Sequence, residues 1–462
     1  MTKPPGRVDP AADPDAAIAA AEQRILEAVL GRGEPVVIVD SPPGAGKTGL
    51  VETTLALATG LARMRVLVVT PKAEQGFTLL TRLTRHFPDV PRQVLVARER
   101  TIPADVLDSC HVAQSPAELR PGPGAIVTTA AKALLNNAAM PGGCDLIIVD
   151  EAYQLTWRDL VPIAHLAPQL LLVGDPGQLP PIVTADIAAL EAAATKVHWP
   201  APRELRRAYP DLSPHRLPAT RRLRAYGADL IAATFYPQMP FVSAAPDRHV
   251  ELATRGLASG ASSAPALDLA LDALADGRDV VALVLPRELG DHPRNDPELA
   301  AVAAAVAARA LQRGLGWRGP DGTGPPASLR AEDIGFIDQH VASGTELRRQ
   351  VRAAGLSTGA KVDTPEIWQG LERPLIVVKH PLSGTSGFEE SSLQPGRMCV
   401  MTSRHQVGCV ILSRDGLQDD LDRHVQDTSR RPSGTDDNAW HGYDAHRRLW
   451  GRLVEDGLVF RL

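Results

Sequence analysis

The stretch VVIVDSPPGAGKTGL, from Val36 to Leu50, most constrains how this chain can fold. Its run of β-branched residues predicts a short buried strand, a Gly/Pro-rich turn follows, and Lys47 and Thr48 open the next helix. In this order the backbone N–H groups of the turn and the positive end of the helix dipole face one point, which suits phosphate oxygens. The pattern G-x-x-x-x-G-K-T is broken only at its first position, where Ser41 replaces glycine. The stretch therefore predicts a nucleoside triphosphate site.

The residue types of this stretch assign the expected contacts. Lys47 would reach the β- and γ-phosphates, and the Thr48 hydroxyl would bind Mg²⁺. The predicted cofactors are therefore ATP and Mg²⁺. The residues expected to hold the nucleotide here are Pro43, Gly44, Ala45, Gly46, Lys47, Thr48 and Gly49.

Charge and cysteine usage set the broad class of the protein. A net charge of −5 does not indicate a nucleic-acid binder by itself, although a local basic groove would be sufficient for one. The four cysteines are scattered without a C-x-x-C pair, which predicts reduced thiols and a cytoplasmic protein. The N-terminus lacks the apolar region of a secretory signal, and the longest run of small apolar residues is too short to span a bilayer. We therefore expect no membrane partner.

A second apolar strand ends in two acidic residues, Asp150 and Glu151, within CDLIIVDEAYQ. Downstream of a phosphate-binding turn, Asp150 would hold Mg²⁺ and Glu151 would polarise the attacking water. The next strand, LLLVG, is followed by Asp175 and Gln178 at its carboxyl edge, where ligands bind in open parallel sheets. The alternation of strands and helices from residue 36 to 183 predicts a parallel sheet flanked by helices.

The pair DEAYQ and GDPGQLPP resembles motifs II and III of superfamily-one helicases, most of all the branch that contains the nonsense-mediated-decay helicase. The resemblance implies an α/β fold of two tandem RecA-like parallel-sheet domains with an ATP cleft between them. It also implies that Gln23 reads the adenine base. Thr70 and Pro71 would belong to a motif that contacts a single strand of nucleic acid.

The resemblance sets the expected domain boundaries. The predicted regions are a disordered N-terminus at 1–14, a first RecA-like domain at 15–212, a second at 213–425 and a charged C-terminal tail at 426–462. Within the first domain, the Pro-rich residues 86 to 124 are expected to hold loops and short elements. Within the tail, the pattern permits an amphipathic helix from Ala439 to Val454.

The second half of the chain resembles the family in its later motifs. HRLPATRRLR resembles motif IV and places its arginine at Arg222, while Arg221 replaces the aromatic residue that usually stacks on adenine. VDTPEIWQGLE resembles motif V and supplies Glu372 as a nucleotide contact, and MTSR resembles motif VI and ends in Arg404. Arg222 and Arg404 would stabilise charge on the transferring phosphoryl group. The catalytic residues so implied are Lys47, Asp150, Glu151, Gln178, Arg222 and Arg404.

The contacts between the protein and a nucleic-acid strand are expected to be made to phosphates, which carry no sequence information. The residues implied are Thr70, Pro71, Lys72, Thr128, Thr129 and Thr364. Trp368 has two interpretations: it stacks on a base, or it is a core tryptophan beneath motif V.

The function that the resemblance implies is an ATP-dependent helicase or translocase acting on single-stranded DNA or RNA, with DNA favoured. One alternative is a nucleic-acid-stimulated ATPase that remodels protein–nucleic-acid complexes without unwinding. Another is a non-catalytic binding protein on a helicase scaffold, which Ser41 favours and the intact Lys47, Asp150, Glu151 and Arg404 oppose. Protein partners, where they exist, would use the C-terminal tail.

Overall fold

The structure is a computed structural model that describes residues 9, 12–135, 143–183, 190–253, 264–287, 295–356, 358–384, 390–424 and 438–462. The chain forms two compact units. The first contains Met1–Pro176 and Pro180–Ala219, and the second contains Gly177–Leu179 and Thr220–Leu462. Most of the N-terminus predicted as disordered, residues 1–8 and 10–11, lies outside the described residues, and the first helix begins at Pro14.

The first unit is built on an eight-stranded sheet in which all neighbouring strands are parallel. The strand order is β4-β3-β5-β2-β6-β7-β1-β8. The strands are β1 (Val36–Asp40), β2 (Arg65–Thr70), β3 (Arg92–Leu95), β4 (His111–Ala113), β5 (Gly124–Thr129), β6 (Leu146–Asp150), β7 (Gln169–Gly174) and β8 (His215–Arg216).

Register places the predicted motifs of this unit on one edge of the sheet. Asp40 at the end of β1 pairs with Gly174 at the end of β7, and Asp150 of β6 pairs with Val173. On the other side of β6, the last residue of β2, Thr70, pairs with Thr129 of β5. The carboxyl ends of these strands therefore share the edge where ligands bind in parallel α/β sheets.

Helices cover both faces of this sheet because its strands are apolar on both sides. Val37 and Val39 of β1 pack in the same core cluster as Leu50 of the helix that follows the turn, whereas Ile38 faces the opposite cluster. The helices are Pro14–Leu26, extended by a π-turn at Glu27–Gly31, Lys47–Gly60, Ala73–His86, Ala104–Ser109, Ala130–Leu135, Trp157–Ala164 and Ala201–Ala208, with 3-10 turns at Pro116–Glu118 and Ala152–Gln154.

The second unit is built on a six-stranded parallel sheet in the order β16-β15-β17-β18-β12-β19. The remaining strands are β9 (Ala219–Thr220), β10 (Val242–Ser243), β11 (Glu251–Leu252), β12 (Val280–Leu285), β13 (Leu315–Trp317), β14 (Ala327–Ser328), β15 (Ile334–Ile337), β16 (Lys361–Asp363), β17 (Arg373–Lys379), β18 (His405–Arg414) and β19 (Val459–Arg461). Strands β11, β13 and β14 form a small antiparallel sheet.

Helices also cover the second sheet, whose main core cluster lies around β12, β17 and β18. A smaller cluster of the same unit includes Ile231, Tyr236 and Cys399. The helices are Ala225–Phe235, Ala264–Ala275, Pro297–Gln312, Val341–Ala353, Pro365–Trp368, Glu390–Leu393, Pro395–Thr402, Leu417–His424 and Asn438–Glu455, with a 3-10 turn at Ala331–Asp333. Within the described ranges, we find no helix with the length and apolar character required to cross a membrane.

The predicted fold class, two tandem parallel-sheet α/β domains, is confirmed. Two details differ from the expected layout. Strand β8 lies after residue 213, yet it completes the sheet of the first unit, because its backbone pairs with β1 at Val39 and Asp40. The C-terminal segment is part of the second unit, since β19 pairs with β12 and extends the second sheet.

Candidate functional site

The turn between β1 and the helix Lys47–Gly60 has the backbone of a phosphate-binding loop. Gly44 and Gly46 have φ values of 74° and 92°, a region that side chains rarely allow. Gly46 is the last residue before the helix, and Lys47, Thr48 and Gly49 form its first turn. The first N–H groups of a helix have no partner within the helix, so this turn presents donors and a positive dipole end to an anion.

Ser41, the one departure from the strict motif, has a specific contact in the structure. Its backbone N–H and its hydroxyl both donate to the carbonyl oxygen of Gly174, each at 3.0 Å. The side chain is buried and points toward β7, away from the turn that Gly44 and Gly46 form. The serine therefore ties the start of the turn to the neighbouring strand and leaves the glycine positions intact.

The acidic pair at the end of β6 lies against the lysine of the turn. Lys47 Nζ is 3.5 Å from Glu151 Oε1, and both side chains are largely buried. Glu151 has a left-handed backbone, with φ 57° and ψ 45°, and its N–H donates to Asp150 Oδ1 at 3.0 Å. Gln154 Nε2 donates to the other carboxylate oxygen of Glu151 at 3.4 Å. A non-glycine residue in this conformation is a strain that commonly marks functional sites.

The electrostatics of this pocket favour a bound cation. The pKa of Asp150 is raised to about 7, mainly by burial and also by repulsion from the Glu151 carboxylate, while the Lys47 ammonium opposes both effects. A divalent cation beside Asp150 would favour its ionised form. Among the described residues, no cluster of three or more His, Cys, Asp or Glu forms a closed metal cage. A carboxylate and the Thr48 hydroxyl suit Mg²⁺, which keeps water and phosphate oxygens among its ligands.

Two residues that the sequence analysis did not select join the end of β1 to this acidic segment. The Tyr153 hydroxyl donates to Asp40 Oδ1 at 2.6 Å, and burial is the main reason that the pKa of Asp40 is raised. Gly174 fits closely here, because a Cβ atom on it would lie 2.9 Å from Tyr153 Cδ2. The sequence signal was the position of Asp40 directly before the turn.

Gln23 and Gln178 are two further predicted nucleotide or catalytic residues, and they differ in how exposed they are. Gln23 is exposed on the helix Pro14–Leu26, and no described contact joins its side chain to the turn. Asp175 and Gln178 are both buried just beyond the end of β7. The structure brings Lys47, Asp150 and Glu151 together directly, and it leaves the role of Gln23 as a prediction.

A groove lies beside this site, at the carboxyl ends of β2, β3 and β5. Its volume is about 390 Å³. Its lining includes five of the predicted strand contacts, Thr70, Pro71, Lys72, Thr128 and Thr129, together with Phe77, Val94, Val96, Arg100 and Lys132. The floor is therefore apolar, and cationic side chains lie at the groove.

Two of the predicted hydroxyl contacts in this groove need correction. The Thr70 hydroxyl is buried and donates to the Lys72 carbonyl oxygen at 2.9 Å, and the Thr128 hydroxyl is buried and donates to Leu95 O at 2.8 Å. Both hydroxyls hold the strand ends in place, because a buried donor is satisfied by the nearest carbonyl. Thr129 Oγ1 accepts from the Lys132 N–H at 3.2 Å.

In the second unit, the predicted nucleotide residues Arg222 and Glu372 are in direct contact. Arg222 Nε donates to Glu372 Oε2 at 2.5 Å, and Arg222 Nη1 donates to Ser403 O at 3.1 Å. The Arg222 guanidinium is the first reason that the pKa of Glu372 is lowered, and the charge of Arg404 contributes. Arg404 is buried, with 1% of its surface exposed, whereas Arg221 is exposed. The motif IV, V and VI residues therefore form one charged network.

Arg248 and Gln406 complete this network and were missed in the sequence. Arg248 is buried, and its guanidinium donates to the carbonyl oxygens of Arg221 at 2.7 Å and, through Nη1, of Arg222. Burial lowers the pKa of Arg248 to about 10. Gln406 Nε2 donates to Glu372 Oε1 at 2.7 Å. Neither residue lies in a recognisable motif, since only the fold brings them to the arginine pair.

Trp368 is a core residue, which agrees with the second of its two interpretations and not with base stacking. Its surface is 0% exposed, and its indole N–H donates to Phe336 O at 3.1 Å. A Cβ atom on Gly335 would lie 2.2 Å from the Trp368 ring, so the indole packs directly on that glycine. Thr364, at the start of the same short helix, is partly exposed. Its contact with a nucleic-acid strand stays a prediction.

The strand, the glycine turn and the acidic pair on a parallel sheet define the first unit as a P-loop nucleoside-triphosphatase domain. Residues 18–207 match the family model described as "AAA domain". None of the curated proteins compared with the chain matches it.

The chain is similar to several solved helicase structures at low identity. Arterivirus nonstructural protein 10, a helicase solved with DNA, is 15% identical over 84% of this chain and 63% of its own, with a TM-score of 0.43. Dbp5 of S. cerevisiae, bound to RNA and ADP BeF3, is 12% identical over 96% of this chain and 89% of its own, with a TM-score of 0.46. This chain thus spans just under two thirds of the arterivirus protein. At these scores the likenesses say nothing of substrate or activity.

Proposed function

We propose that this protein is an ATP-dependent helicase or translocase that acts on single-stranded nucleic acid, with DNA as the preferred strand. The observation that carries the proposal is the shared edge of the first sheet. The phosphate-binding turn follows β1, the acidic pair follows β6, and the groove lies at the ends of β2 and β5. Strand β2 is hydrogen-bonded to β6 as well as β5, so a change at the nucleotide can reach the groove through neighbouring strands.

The chemistry of the groove supports a single strand as the ligand. Lys72 and Lys132 provide positive charge for phosphates, and the floor of the groove is formed by largely buried apolar side chains, Phe77, Val94 and Val96. Contacts of this kind depend on salt and vary little among sequences. They also discriminate poorly between DNA and RNA, because only contacts to the sugar or its 2′-hydroxyl separate the two.

The first unit supplies the groups needed for hydrolysis. Thr48 and Asp150 would hold Mg²⁺, whose charge, when bound, offsets that of the phosphates. Lys47, which pairs with Glu151 in this structure, would turn to the phosphates when ATP binds. Glu151 would then be released to orient water and accept its proton. The strained backbone of Glu151 holds its carboxylate at this position.

The direct test is ATP hydrolysis by the full chain with and without single-stranded DNA and RNA, beside a duplex-unwinding assay. We expect single strands to stimulate hydrolysis and affinity to fall steeply with salt. Stimulation without unwinding would favour the remodelling ATPase. Equal rates with and without either nucleic acid would contradict the proposal and favour a non-catalytic scaffold.

We also propose that Arg222 and Arg404 act on the γ-phosphate and that Glu372 contacts the nucleotide. The network of Arg222, Glu372 and Ser403 supports this, since it holds the motif IV and motif VI segments together within the second unit. In this structure Arg222 is paired with Glu372. The Arg222 guanidinium would therefore have to leave the Glu372 carboxylate before it could contact a phosphate.

Replacing Arg404 by alanine is expected to lower kcat by about 10³-fold while changing ATP affinity modestly, because an arginine finger acts mainly on the transition state. Arg404→Lys should restore little, since an ammonium lacks the planar fork. Single-turnover hydrolysis and nucleotide titration measure the two effects. Arg397→Ala is the matched control, because Arg397 of the same unit pairs with Glu366 at 2.9 Å. Turnover of Arg404→Ala equal to that of the control would remove Arg404 from the catalytic proposal.

A further inference from the structure

The first unit has a second positively charged region, on the side of the sheet that ends in β8. Two adjoining clefts lie there, of about 540 and 420 Å³, and both are lined by Arg206, Ser213 and Pro214. The arginines of the two clefts come from the helix Pro14–Leu26, the helix Ala201–Ala208 and β8. We call them the arginine surface, which consists of Arg24, Arg203, Arg206, Arg207 and Arg216. None of them lines the groove at β2 and β5.

Two carboxylates that pair with arginines of this surface are buried. Glu204 is 1% exposed and accepts from Arg207 Nε and Nη2, each at 2.6 Å. Asp40 is also buried, accepts from the Tyr153 hydroxyl, and lies 3.8 Å from Arg206 Nη1. Glu204 and Asp40 therefore contact Arg207 and Arg206 from the buried side, and Glu191, whose side chain is 45% exposed, is a third carboxylate near Arg203.

Two arginines of this surface are exposed, although the charge of Arg216 acts on Asp40 and opposes the rise that burial causes in the pKa of that carboxyl. Arg24 and Arg216 have no ion pair with any carboxylate in the part of the chain that the structure describes. His215, between them in the same cleft, has a lowered pKa, mainly because it is partly buried and further because of the charges of Arg32 and Arg24, which Glu34 opposes. The positive charge of the cleft thus belongs to the arginines.

The geometry of the surface suits phosphates better than bases or apolar side chains. Arg203 lies flat over Trp199, with Cζ 3.7 Å from the ring centroid, so this tryptophan face is covered and cannot stack on a base. Arg203 and Arg206 are three residues apart, about 4.5 Å along the helix axis, and repeat a fork-shaped donor along one face. The linings hold Arg, Ser, Pro and His with few large apolar residues, whereas protein interfaces have apolar cores.

We propose that the arginine surface binds the phosphate backbone of a nucleic acid, at a site separate from the groove. The inference rests on the proposed function, since it assigns the same ligand class a second contact region on the first unit. A strand long enough to reach both regions would then make more phosphate contacts than the groove alone provides. The surface would lengthen the binding footprint without reading sequence.

The test is the salt dependence of strand binding by the full chain carrying Arg24→Ser and Arg216→Ser. Each lost phosphate contact lowers the slope of log affinity against log salt by about 0.7 for a single strand, so the double variant should lose about 1.4. Fluorescence anisotropy with a long labelled oligonucleotide measures the slope. The matched control is Arg85→Ser with Arg352→Ser, two exposed arginines that line neither the clefts nor the groove. Thermal unfolding verifies that each variant is folded.

A slope equal to that of the control would overturn the proposal. A weaker affinity for a fluorescent ATP analogue with an unchanged slope would assign the arginines to the nucleotide and overturn it too. A third result would also overturn the proposal: an acidic peptide such as poly-glutamate binds the wild type more tightly than nucleic-acid strands do, and the double variant loses this binding. Lys72→Ser, in the groove, separates this inference from the proposed function. If Lys72→Ser lowers the slope and the double variant does not, only the second site fails; if the wild type binds no strand, the proposed function fails with it.

Discussion

Replacing Lys47 by alanine is expected to reduce ATP hydrolysis by at least about 10³-fold and to weaken ATP binding while the protein stays folded. Lys47 lies on the first helical turn after the glycine loop, and its ammonium contacts Glu151 at 3.5 Å. Its removal takes away the charge that would meet the β- and γ-phosphates and leaves the apolar core of the sheet unchanged. Steady-state hydrolysis, nucleotide titration and circular dichroism measure activity, binding and folding separately.

A matched control for this variant is Lys196→Ala. Lys196 belongs to the same unit, pairs with Glu191 at 3.4 Å and lies outside every predicted motif. It therefore reports the effect of losing one lysine elsewhere on the unit. If Lys47→Ala hydrolysed ATP as fast as this control, the glycine turn would not be a catalytic phosphate site, and the proposed function would lose its basis.

Glu151→Gln is expected to bind ATP with near-normal affinity and to hydrolyse it about 10² to 10⁴ times more slowly. The amide has the shape of the carboxylate but cannot accept the proton of the attacking water. It also leaves Lys47 without its partner in the ATP-free state, which should not impair, and can even assist, contact between the ammonium and the phosphates. Single-turnover hydrolysis with saturating ATP isolates the chemical step from binding.

Glu118→Gln provides the control for this second variant, because Glu118 is a glutamate of the same unit that accepts from Gln114 N and the Ser115 hydroxyl. The catalytic assignment of Glu151 would be wrong if the variant lost ATP affinity and kept its turnover per bound nucleotide. That result would make Glu151 a structural partner of Lys47, and Asp150 would become the candidate for both the cation and the water.

The sequence by itself determined the local parts of the site. The strand, glycine turn and helix from Val36 to Gly60 are contiguous, and so is the acidic pair at the end of β6, because each depends on backbone propensity and residue type over a few positions. The two parallel sheets were also predictable, since apolar strands alternate with helices along the chain. The amphipathic helix that the sequence permits from Ala439 to Val454 is found at Asn438–Glu455.

Short strands could not be assigned from the sequence in the same way. Strands β3 and β4 lie in the Pro-rich region expected to hold loops and short elements, and they have only four and three residues. Such segments have little periodicity of their own, and their pairing with β5 and with each other stabilises them. Strand β19 is similar, because it becomes part of the second sheet only by pairing with β12.

Only the tertiary structure decided which side chains are available to a ligand. Trp368 and the hydroxyls of Thr70 and Thr128 look like strand contacts in the sequence, yet each is buried and hydrogen-bonded to a backbone carbonyl. Conversely, Arg248 is the structural support of Arg221 and Arg222 although it lies some 25 residues away in an unremarkable stretch. Burial and long-range hydrogen bonding depend on packing between distant segments, whereas motifs record only residue type and spacing. The sequence therefore predicts the chemistry of a phosphate site, and the packing of each unit determines which side chains are exposed to a ligand.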